Sequence, residues 1–207
     1  MLGAGVVGSN AAMIALGMGA KVTVMNPSPV DLQRLAPSGA RLRMRVIDAA
    51  ALDEELRAAD AVIGAALVPG GLAPKLVTRA MLGRMKPGAV LVDVAIDQGG
   101  CFETSRPTTH AEPVYVVDGI VHYCVANMPG AVPRTSTYAL NRAVLPFVRS
   151  LADRGVTRAL RDDEHLRHGL NVFAGAITQR EVAAALGVAY IDAGAALSAV
   201  VAQPSGV

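Results

Sequence analysis

Three closely spaced glycines near the start of the chain could hold a phosphate group. Gly3, Gly5 and Gly8 form a G-x-G-x-x-G pattern, and apolar residues at helical spacing follow it directly. Gly3 would permit a tight turn, Gly5 would let backbone approach a phosphate, and Gly8 would let a helix pack on a strand. The first turn of that helix offers unpaired N–H groups to a pyrophosphate. The pattern alone is weak, because glycine-rich turns also join ordinary strands and helices.

The surroundings of this pattern depart from the usual one in two ways. Only Met1 and Leu2 precede it, whereas a dinucleotide-binding fold places a complete buried strand there. We therefore expect a reading frame cut into a larger enzyme. Asn26 stands where an acidic residue would hold the ribose hydroxyls, about 20 positions further on. An amide carries no charge, so we expect weaker NAD binding or poorer discrimination against NADP.

A carboxylate follows a second apolar run. Asp97 ends the sequence V-A-I-D after a predicted strand over 89–94, and ligands of open α/β sheets collect at the carboxyl ends of strands. Two interpretations stay open: Asp97 faces a nicotinamide, or it caps the Gly-Gly turn that follows it. Asp93, inside the strand, is interpreted as a structural hydrogen-bond partner.

Other polar residues leave alternatives open. Asn127, before a proline, either bonds a carboxamide or holds a turn. Arg106 lies in a loop where it contacts either ligand or backbone. The histidines form no metal-ligand pattern, and the pair three apart, His165 and His168, is interpreted as a solvated helix face. We expect no metal.

Composition restricts the class of protein. The 207 residues are 52% hydrophobic and 3% aromatic, which is typical of a soluble α/β protein, and the formal charge is +2. No basic block, signal peptide or apolar run of membrane-spanning length is evident, so we expect neither nucleic acid nor membrane as a partner, and a cytoplasmic location. Two cysteines, Cys101 and Cys124, lack metal-like spacing and are expected to be reduced, inert thiols.

Alternating strand and helix patterns predict a Rossmann-type doubly wound parallel sheet over residues 1–130, followed by a helical segment over 131–207. Predicted strands cover 21–25, 42–46, 60–67 and 89–94, with closing strands over 114–117 and 120–124. The first predicted helix begins at the glycine turn, and further helices are predicted over 31–35, 50–59, 76–85, 136–151 and 177–186, with no further convincing sheet strand after Pro129. The helical segment would bury little apolar surface alone.

Four long motifs resemble the NAD-dependent alanine dehydrogenase family. They are V-P-G-G-L-A-P-K-L-V-T (68–78), M-K-P-G-A-V-L-V-D-V-A-I-D-Q-G-G-C-F-E (85–103), S-R-P-T-T (105–109) and V-A-N-M-P-G-A-V-P-R-T-S-T-Y-A-L (125–140). The resemblance covers essentially the whole chain. The transhydrogenase alpha subunit shares P-x-x-x-A-P-K-L, but the run I-D-Q-G-G-C-F resembles the dehydrogenase better.

The resemblance implies interconversion of L-alanine with pyruvate and ammonium, with NAD as cofactor. It makes Asp97 the catalytic aspartate and Asn26 the ribose-binding position. The implied nucleotide contacts are Gly3, Gly5, Gly8, Ala66, Leu67, Val94, Ala95, Ile96, Asp97, Arg106, Val125, Ala126, Asn127 and Met128. The family's histidine, lysine and arginine catalysts lie in an N-terminal substrate domain outside this chain, and residues 131–207 would complete that domain. The family is hexameric, so a homo-oligomer is expected of a full-length form.

The leading hypothesis is an alanine dehydrogenase that is inactive without its N-terminal half, and three alternatives to it remain open. One is a non-catalytic nucleotide-binding module that works with a separately encoded substrate-domain chain. A second is a relative of the transhydrogenase alpha subunit, and a third is a decayed product that does not fold.

Overall fold

The computed structural model describes residues 1–33, 35 and 41–201. The strands are β1 (Val22–Asn26), β2 (Leu42–Val46), β3 (Ala61–Gly64), β4 (Val90–Asp93), β5 (Val114–Val117), β6 (Ile120–Tyr123), β7 (Val172–Phe173) and β8 (Ala176–Ile177). The helices are α1 (Val6–Gly17), α2 (Pro29–Gln33), α3 (Ala49–Ala58), α4 (Arg79–Leu82), α5 (Pro133–Arg154), α6 (Val156–Asp162), α7 (Glu164–His168), α8 (Arg180–Leu186) and α9 (Ala193–Val201). Short 3-10 helices cover Ile96–Gln98 and Met128–Ala131.

The first six strands and Leu2 form one sheet in the order β2, β1, Leu2, β3, β4, β6, β5. Every neighbouring pair is parallel except β5 with β6. Leu2 makes parallel bridges to Met25 on one side and Gly64 on the other. This is the order of a doubly wound sheet, with Leu2 in the place of the first strand. The predicted α/β class with a parallel sheet is confirmed.

The centre of the sheet is apolar because helices cover both of its faces. Leu2, Val62 and Leu91 are buried, and Leu52 and Leu56 of α3 pack into the same core. The start of α3 is fixed by the side chain of its N-cap residue, Asp48, which accepts a hydrogen bond from an N–H of the first turn. Burial of each large aliphatic side chain contributes about 1.5–3 kcal/mol, so this core orders the strands that position the site.

One predicted helix is much shorter than its sequence pattern indicates. The helix predicted over 76–85 is reduced to the single turn α4, because Leu76 and Val77 donate main-chain hydrogen bonds to Cys101 O. Val77 also makes a parallel bridge to Phe102. These long-range pairings keep residues 73–77 extended. The helix predicted over 31–35 overlaps α2, and residue 34 lies outside the described residues.

The prediction of no further strand after Pro129 is wrong. β7 and β8 form a two-residue antiparallel hairpin, turned by Ala174 and Gly175 with φ of 49° and 81°. Ile177 therefore belongs to a strand, and the helix predicted to begin there begins at Arg180 instead. The helix predicted over 136–151 lies within α5, while α6 and α9 are additional. His165 and His168 are exposed on α7, as predicted for a solvated helix face. Residues 202–207 of the predicted tail lie outside the described residues.

Two compact units make up the chain. The first contains Met1–Val68 and Leu72–Met128, and the second contains Pro69–Gly71 and the residues from Pro129 onward. In the second unit, Leu160 of α6 and Leu197 of α9 are buried, whereas no residue of α5 is. Among the described residues, no helix combines the length and apolar character that crossing a membrane requires.

The amino group of Met1 is buried within the sheet. It donates a hydrogen bond to Thr23 O at 2.8 Å, in the position of a main-chain amide of a strand. Burial lowers the pKa of this group to about 6, and the nearby Glu55 carboxylate only partly opposes the effect. A charged group at this point therefore costs folding free energy.

The free energy of unfolding should rise between about pH 6 and pH 8 because of this group. The pKa of the Met1 amino group is lower in the folded chain than in the unfolded chain, so the unfolded chain binds more protons in this range. The free energy of unfolding therefore rises with pH until the amino group is neutral in both states. The full effect is about 3 kcal/mol. Urea denaturation across this range measures it. A chain with an acetylated N-terminus should lack this contribution, and an identical pH dependence in both chains would contradict the assignment.

Candidate nucleotide-binding site

The glycine pattern forms a turn whose geometry requires two of its three glycines. Gly3 has φ of 109°, and a Cβ added to it would lie 2.6 Å from Ala65 O. A Cβ on Gly8 would overlap Gly3 O. Gly5 differs, because a Cβ there would meet nothing within 4 Å. The turn is thus packed tightly against Ala65, directly after β3, at Gly3, and against the carbonyl of Gly3 at Gly8, and it is open at Gly5.

The helix that follows the turn has an open N-terminus. Gly5 is its N-cap and contributes no side-chain hydrogen bond, and the first turn contains no acidic residue. Val6 is 82% exposed. The first N–H groups of a helix have no intrahelical acceptor, and the helix dipole favours an anion beside them. The arrangement therefore provides main-chain donors for a phosphate.

Asn26 joins the glycine turn to the end of β1. Its Oδ1 accepts a hydrogen bond from Ala4 N at 3.1 Å. Its Nδ2 donates to Ser28 O and to Asp31 Oδ2, both at 3.3 Å. The amide that replaces the expected acid therefore braces the turn and brings the carboxylate of Asp31 close to the same position. The sequence pattern gave no role to Asp31. Its position shortly after Asn26 could have identified it as an acidic residue close to the expected ribose-binding position.

The carboxyl edge of the parallel strands brings together most of the residues predicted to bind nucleotide. Gly64 at the end of β3 packs against Cys101 and Phe102, which follow β4. Beyond β6, Ala126 N donates to Thr108 O at 3.1 Å. The predicted residues at this edge are Gly3, Gly5, Gly8, Asn26, Ala66, Leu67, Val94, Ala95, Ile96, Asp97, Val125, Ala126, Asn127 and Met128. Ligands of doubly wound sheets bind at such an edge.

Asp93 fixes the loop after β4. The fully buried carboxylate accepts hydrogen bonds through Oδ2 from Cys101 N at 2.8 Å, and from Ser105 Oγ. Gly100 has φ of 79°, and a Cβ there would lie 2.5 Å from Asp93 Oδ2. These contacts agree with the structural role predicted for Asp93. Truncating a buried acceptor with several donors typically costs about 1–3 kcal/mol.

Lys75 also braces this loop. Its Nζ donates to Gly99 O at 2.5 Å and to Phe102 O at 3.1 Å. The sequence motif contained this lysine but did not indicate its contacts, because they join segments 24 and 27 residues apart. Together Asp93 and Lys75 hold the backbone that follows the 3-10 helix of Asp97, at Gly99, Cys101 and Phe102.

Asp97 is presented to solvent by this braced loop. It lies in the 3-10 helix Ile96–Gln98, and Ile96 is buried beneath it. Gly99, with φ of 90°, ends the helix and turns the chain back into the core. A carboxylate placed in this way is accessible to a ligand at the carboxyl edge of the sheet.

Arg106 and Asn127 occupy different surroundings. The guanidinium of Arg106 stacks on the ring of Tyr115, 3.9 Å from its centroid, at the β5 edge of the sheet. This places Arg106 away from the β1 and β3 edge where the glycine turn lies. Asn127 has φ of 53°, and its carbonyl oxygen lies 3.2 Å from His110 Nε2. Asn127 thus holds a turn through its backbone while its side chain remains exposed.

The two thiols and His122 are buried structural groups. Burial, and secondarily the Asp93 carboxylate, raise the pKa of Cys101 to about 11, so the thiol stays protonated near neutral pH. Cys124 is also buried, and neither cysteine is in a disulfide. Burial lowers the pKa of His122, whose ring nitrogens lie 3.0 Å from Ile120 O and 2.7 Å from Thr104 Oγ1. The predicted inert packing of the cysteines agrees with this environment.

The fold and this edge together define the class of the protein. A parallel sheet in doubly wound order, with a glycine turn leading into a helix beside its central position, is a Rossmann-type domain. In that class the helix N-terminus faces the pyrophosphate of a dinucleotide.

Comparisons with known proteins identify the family within this class. The sequence model of the family described as "Alanine dehydrogenase/PNT, C-terminal domain" matches residues 1–180. Alanine dehydrogenase of Halomonas elongata is 61% identical, over 93% of this chain and 52% of its own. That of Mycolicibacterium smegmatis is 51% identical over the same shares. The chain therefore belongs to the alanine dehydrogenase/PNT family.

Solved structures agree with this assignment. An L-alanine dehydrogenase superposes with a TM-score of 0.78 at 45% identity, over 90% of this chain and 52% of its own. A transhydrogenase from Sinorhizobium meliloti superposes with a TM-score of 0.68 at 30% identity, over 86% of this chain and 48% of its own. The chain spans about half the length of the curated relatives it matches.

Replacing Gly8 with alanine should destabilise the protein by about 2–3 kcal/mol, because the new methyl overlaps Gly3 O. Gly17→Ala is the matched control in the same helix. A Cβ there meets nothing within 4 Å, so stability should stay the same or rise by up to about 1 kcal/mol. Thermal or urea unfolding of both variants measures the difference. Equal effects of the two substitutions would contradict the packing described for Gly8.

Proposed function

We propose that the chain is the dinucleotide-binding part of an alanine dehydrogenase. The enzyme would convert L-alanine, NAD and water into pyruvate, ammonium, NADH and a proton. The observation that carries this proposal is the open glycine turn at Gly5, set at the N-terminus of α1 in a chain 61% identical to an alanine dehydrogenase. The substrates are alanine and pyruvate, by analogy with those relatives.

The residues at the carboxyl edge fit a nicotinamide dinucleotide. Main-chain N–H groups after Gly5 would bind the pyrophosphate, and the space beside Gly5 would admit its oxygens. Asn26 and the neighbouring Asp31 lie where the ribose hydroxyls would be held. The segments after β3, β4 and β6 would enclose the adenosine and nicotinamide halves. NAD rather than NADP is proposed because a carboxylate, that of Asp31, lies beside Asn26.

Asp97 is proposed as the catalytic carboxylate. The bound nicotinamide would supply the chemistry of hydride acceptance from the α-carbon of alanine. Asp97 is exposed on a loop braced from below, so it can assist proton transfer at the substrate without moving the backbone.

Nucleotide binding and alanine oxidation would require different parts of the enzyme. Nucleotide binding uses residues of the first compact unit alone. Alanine oxidation would also use the histidine, lysine and arginine that the family resemblance places in another domain. We therefore expect this chain alone to bind nucleotide without oxidising alanine.

Replacing Gly5 with alanine should weaken NADH binding by at least about tenfold, or about 1.4 kcal/mol. The new methyl would occupy the space left for phosphate, yet it meets no protein atom, and the φ of −71° suits any L-residue. Fluorescence titration gives the dissociation constant, while thermal unfolding should show an unchanged midpoint. Gly17→Ala serves as the control. Unaltered NADH affinity in the Gly5 variant would remove the turn from the binding site.

Replacing Asp97 with asparagine tests catalysis in a chimera of this chain with the amino-terminal half of the Halomonas elongata enzyme. We expect kcat for alanine oxidation to fall about 100-fold or more, with little change in the dissociation constant of NADH. The reason is that the substitution removes a proton-transferring group while preserving shape. Asp118→Asn, at an exposed position on the β5–β6 turn, is the control. A chimera whose kcat does not respond to the Asp97 substitution would exclude this residue from the mechanism.

A further inference from the structure

Asn26 and Asp31 stand together at the position expected to hold the ribose of the nucleotide, and their contacts decide which of the two can bind it. Asn26 is the last residue of β1, and Asp31 lies in α2. The distance from Asn26 Nδ2 to Asp31 Oδ2 is 3.3 Å. The amide and the carboxylate are therefore direct neighbours, and of the two side chains only that of Asp31 can carry a charge.

The amide of Asn26 is used almost completely by contacts within the protein. Its Oδ1 accepts from Ala4 N at 3.1 Å, and its Nδ2 donates to Ser28 O and to Asp31 Oδ2, both at 3.3 Å. A primary amide offers two donor hydrogens and two acceptor lone pairs. Both hydrogens thus have an acceptor, and one lone pair of Oδ1 remains. Two neighbouring ribose hydroxyls donate two hydrogen bonds, so Asn26 alone cannot accept both.

The orientation of this amide is fixed by its partners. Ala4 N is a donor, whereas the carbonyl of Ser28 and the carboxylate of Asp31 are acceptors. The reverse orientation of the amide would place a donor against a donor and an acceptor against two acceptors. Asn26 is therefore a brace between the glycine turn and α2, rather than an acceptor directed at a ligand.

The position of Asp31 is fixed by packing as well as by this amide. Leu32, the next residue, is buried and belongs to the same apolar cluster as Ala4 of the glycine turn. Asp31 N donates to Ser28 Oγ at 3.4 Å, and the two prolines that flank Ser28 restrict the φ angles of the connecting chain. α2 therefore holds the half-buried carboxylate beside the turn.

We propose that Asp31 binds the ribose hydroxyls and determines cofactor specificity at this site, and that Asn26 only positions it. The acceptor for the two hydroxyls then lies on α2, five residues beyond the end of β1, and not on the strand itself. This inference rests on the proposed function, because it assigns a residue to the nucleotide site. It accounts for an uncharged residue at the end of β1, since the carboxylate is supplied by the helix that follows.

A single carboxylate at this point selects between the two nicotinamide dinucleotides. The 2′-hydroxyl of NADH can donate a hydrogen bond to it, and hydrogen bonds to a charged acceptor are stronger than neutral ones. The 2′-phosphate of NADPH replaces that hydroxyl and brings negative charge against the carboxylate. A second carboxylate in place of the Asn26 amide would face the first across 3.3 Å and would repel it. The pair thus requires one carboxylate and one amide.

Fluorescence titration of the full chain with NADH and with NADPH tests the assignment in the unaltered protein, both single variants and the double variant Asn26→Asp/Asp31→Asn. Asp31→Asn should weaken NADH binding by at least about tenfold, without weakening NADPH binding. Asn26→Asp should bind NADH no more tightly than the unaltered chain. The double variant should return to within about threefold of the unaltered chain, because an amide again faces a carboxylate. Asp60→Asn, at an exposed position before β3, is the control.

Thermal unfolding without nucleotide measures the stability of each variant. The ratio of the two dissociation constants is taken within one variant, so it reports the preference of the folded protein even where stability falls. An unchanged NADH affinity together with an unchanged ratio in Asp31→Asn would overturn the inference and leave the proposed function in place. Tighter NADH binding in Asn26→Asp would also overturn it, because the ribose would then be held at the end of β1. No saturable NADH binding to the unaltered chain would overturn both.

Discussion

The main-chain pairing of Met1 and Leu2 with β1 and β3 is the constraint on which the rest of the structure depends. These few hydrogen bonds join β1 and β2 to the other four strands of the sheet. They also fix where the chain emerges from the sheet, so Gly3 must turn directly beside Ala65. Once that turn is set, α1 begins at the carboxyl edge with its N-terminus open. The position of the candidate site is thus a consequence of how two residues are paired.

The nucleotide binding proposed for this edge would rely on backbone more than on side chains. Gly8 is needed for packing and Gly5 for open space, while Asn26 braces the turn through Ala4 N. The one exposed carboxylate assigned a chemical role, Asp97, is held by interactions beneath it. Asp93 and Lys75 immobilise the backbone of that loop. Such an arrangement would suit the proton-transferring role proposed for Asp97, because the backbone is held while the carboxylate stays exposed.

Local patterns in the sequence predicted those parts of the fold that local interactions determine. The glycine spacing predicted the turn and the start of α1, and the alternation of apolar runs predicted the parallel sheet with its closing strands. The same reasoning placed Asp93 in a structural role, because a carboxylate within an apolar strand needs donors. Its donors, among them Cys101 N and Ser105 Oγ, come from the turn that follows its own strand.

Features that depend on distant contacts were not predictable in this way. Residues 76–78 have a helical pattern, yet pairing of Val77 with Phe102 keeps them extended. The contact of Asn26 with Asp31 depends on how α2 follows β1, and the stacking of Arg106 on Tyr115 depends on the edge strand. The hairpin of β7 and β8 consists of two-residue strands, which are too short for an alternating pattern to appear.

The central claim is that the glycine turn binds a nicotinamide dinucleotide through its main-chain N–H groups. Titrating the isotopically labelled chain with NADH and following its amide resonances by NMR tests this claim directly. The account predicts saturable shifts concentrated at Gly5, Val6 and Val7 and at the segments after β3, β4 and β6, with α5 unaffected. Binding that leaves the three turn amides unshifted, or no saturable shift at millimolar NADH, would contradict it.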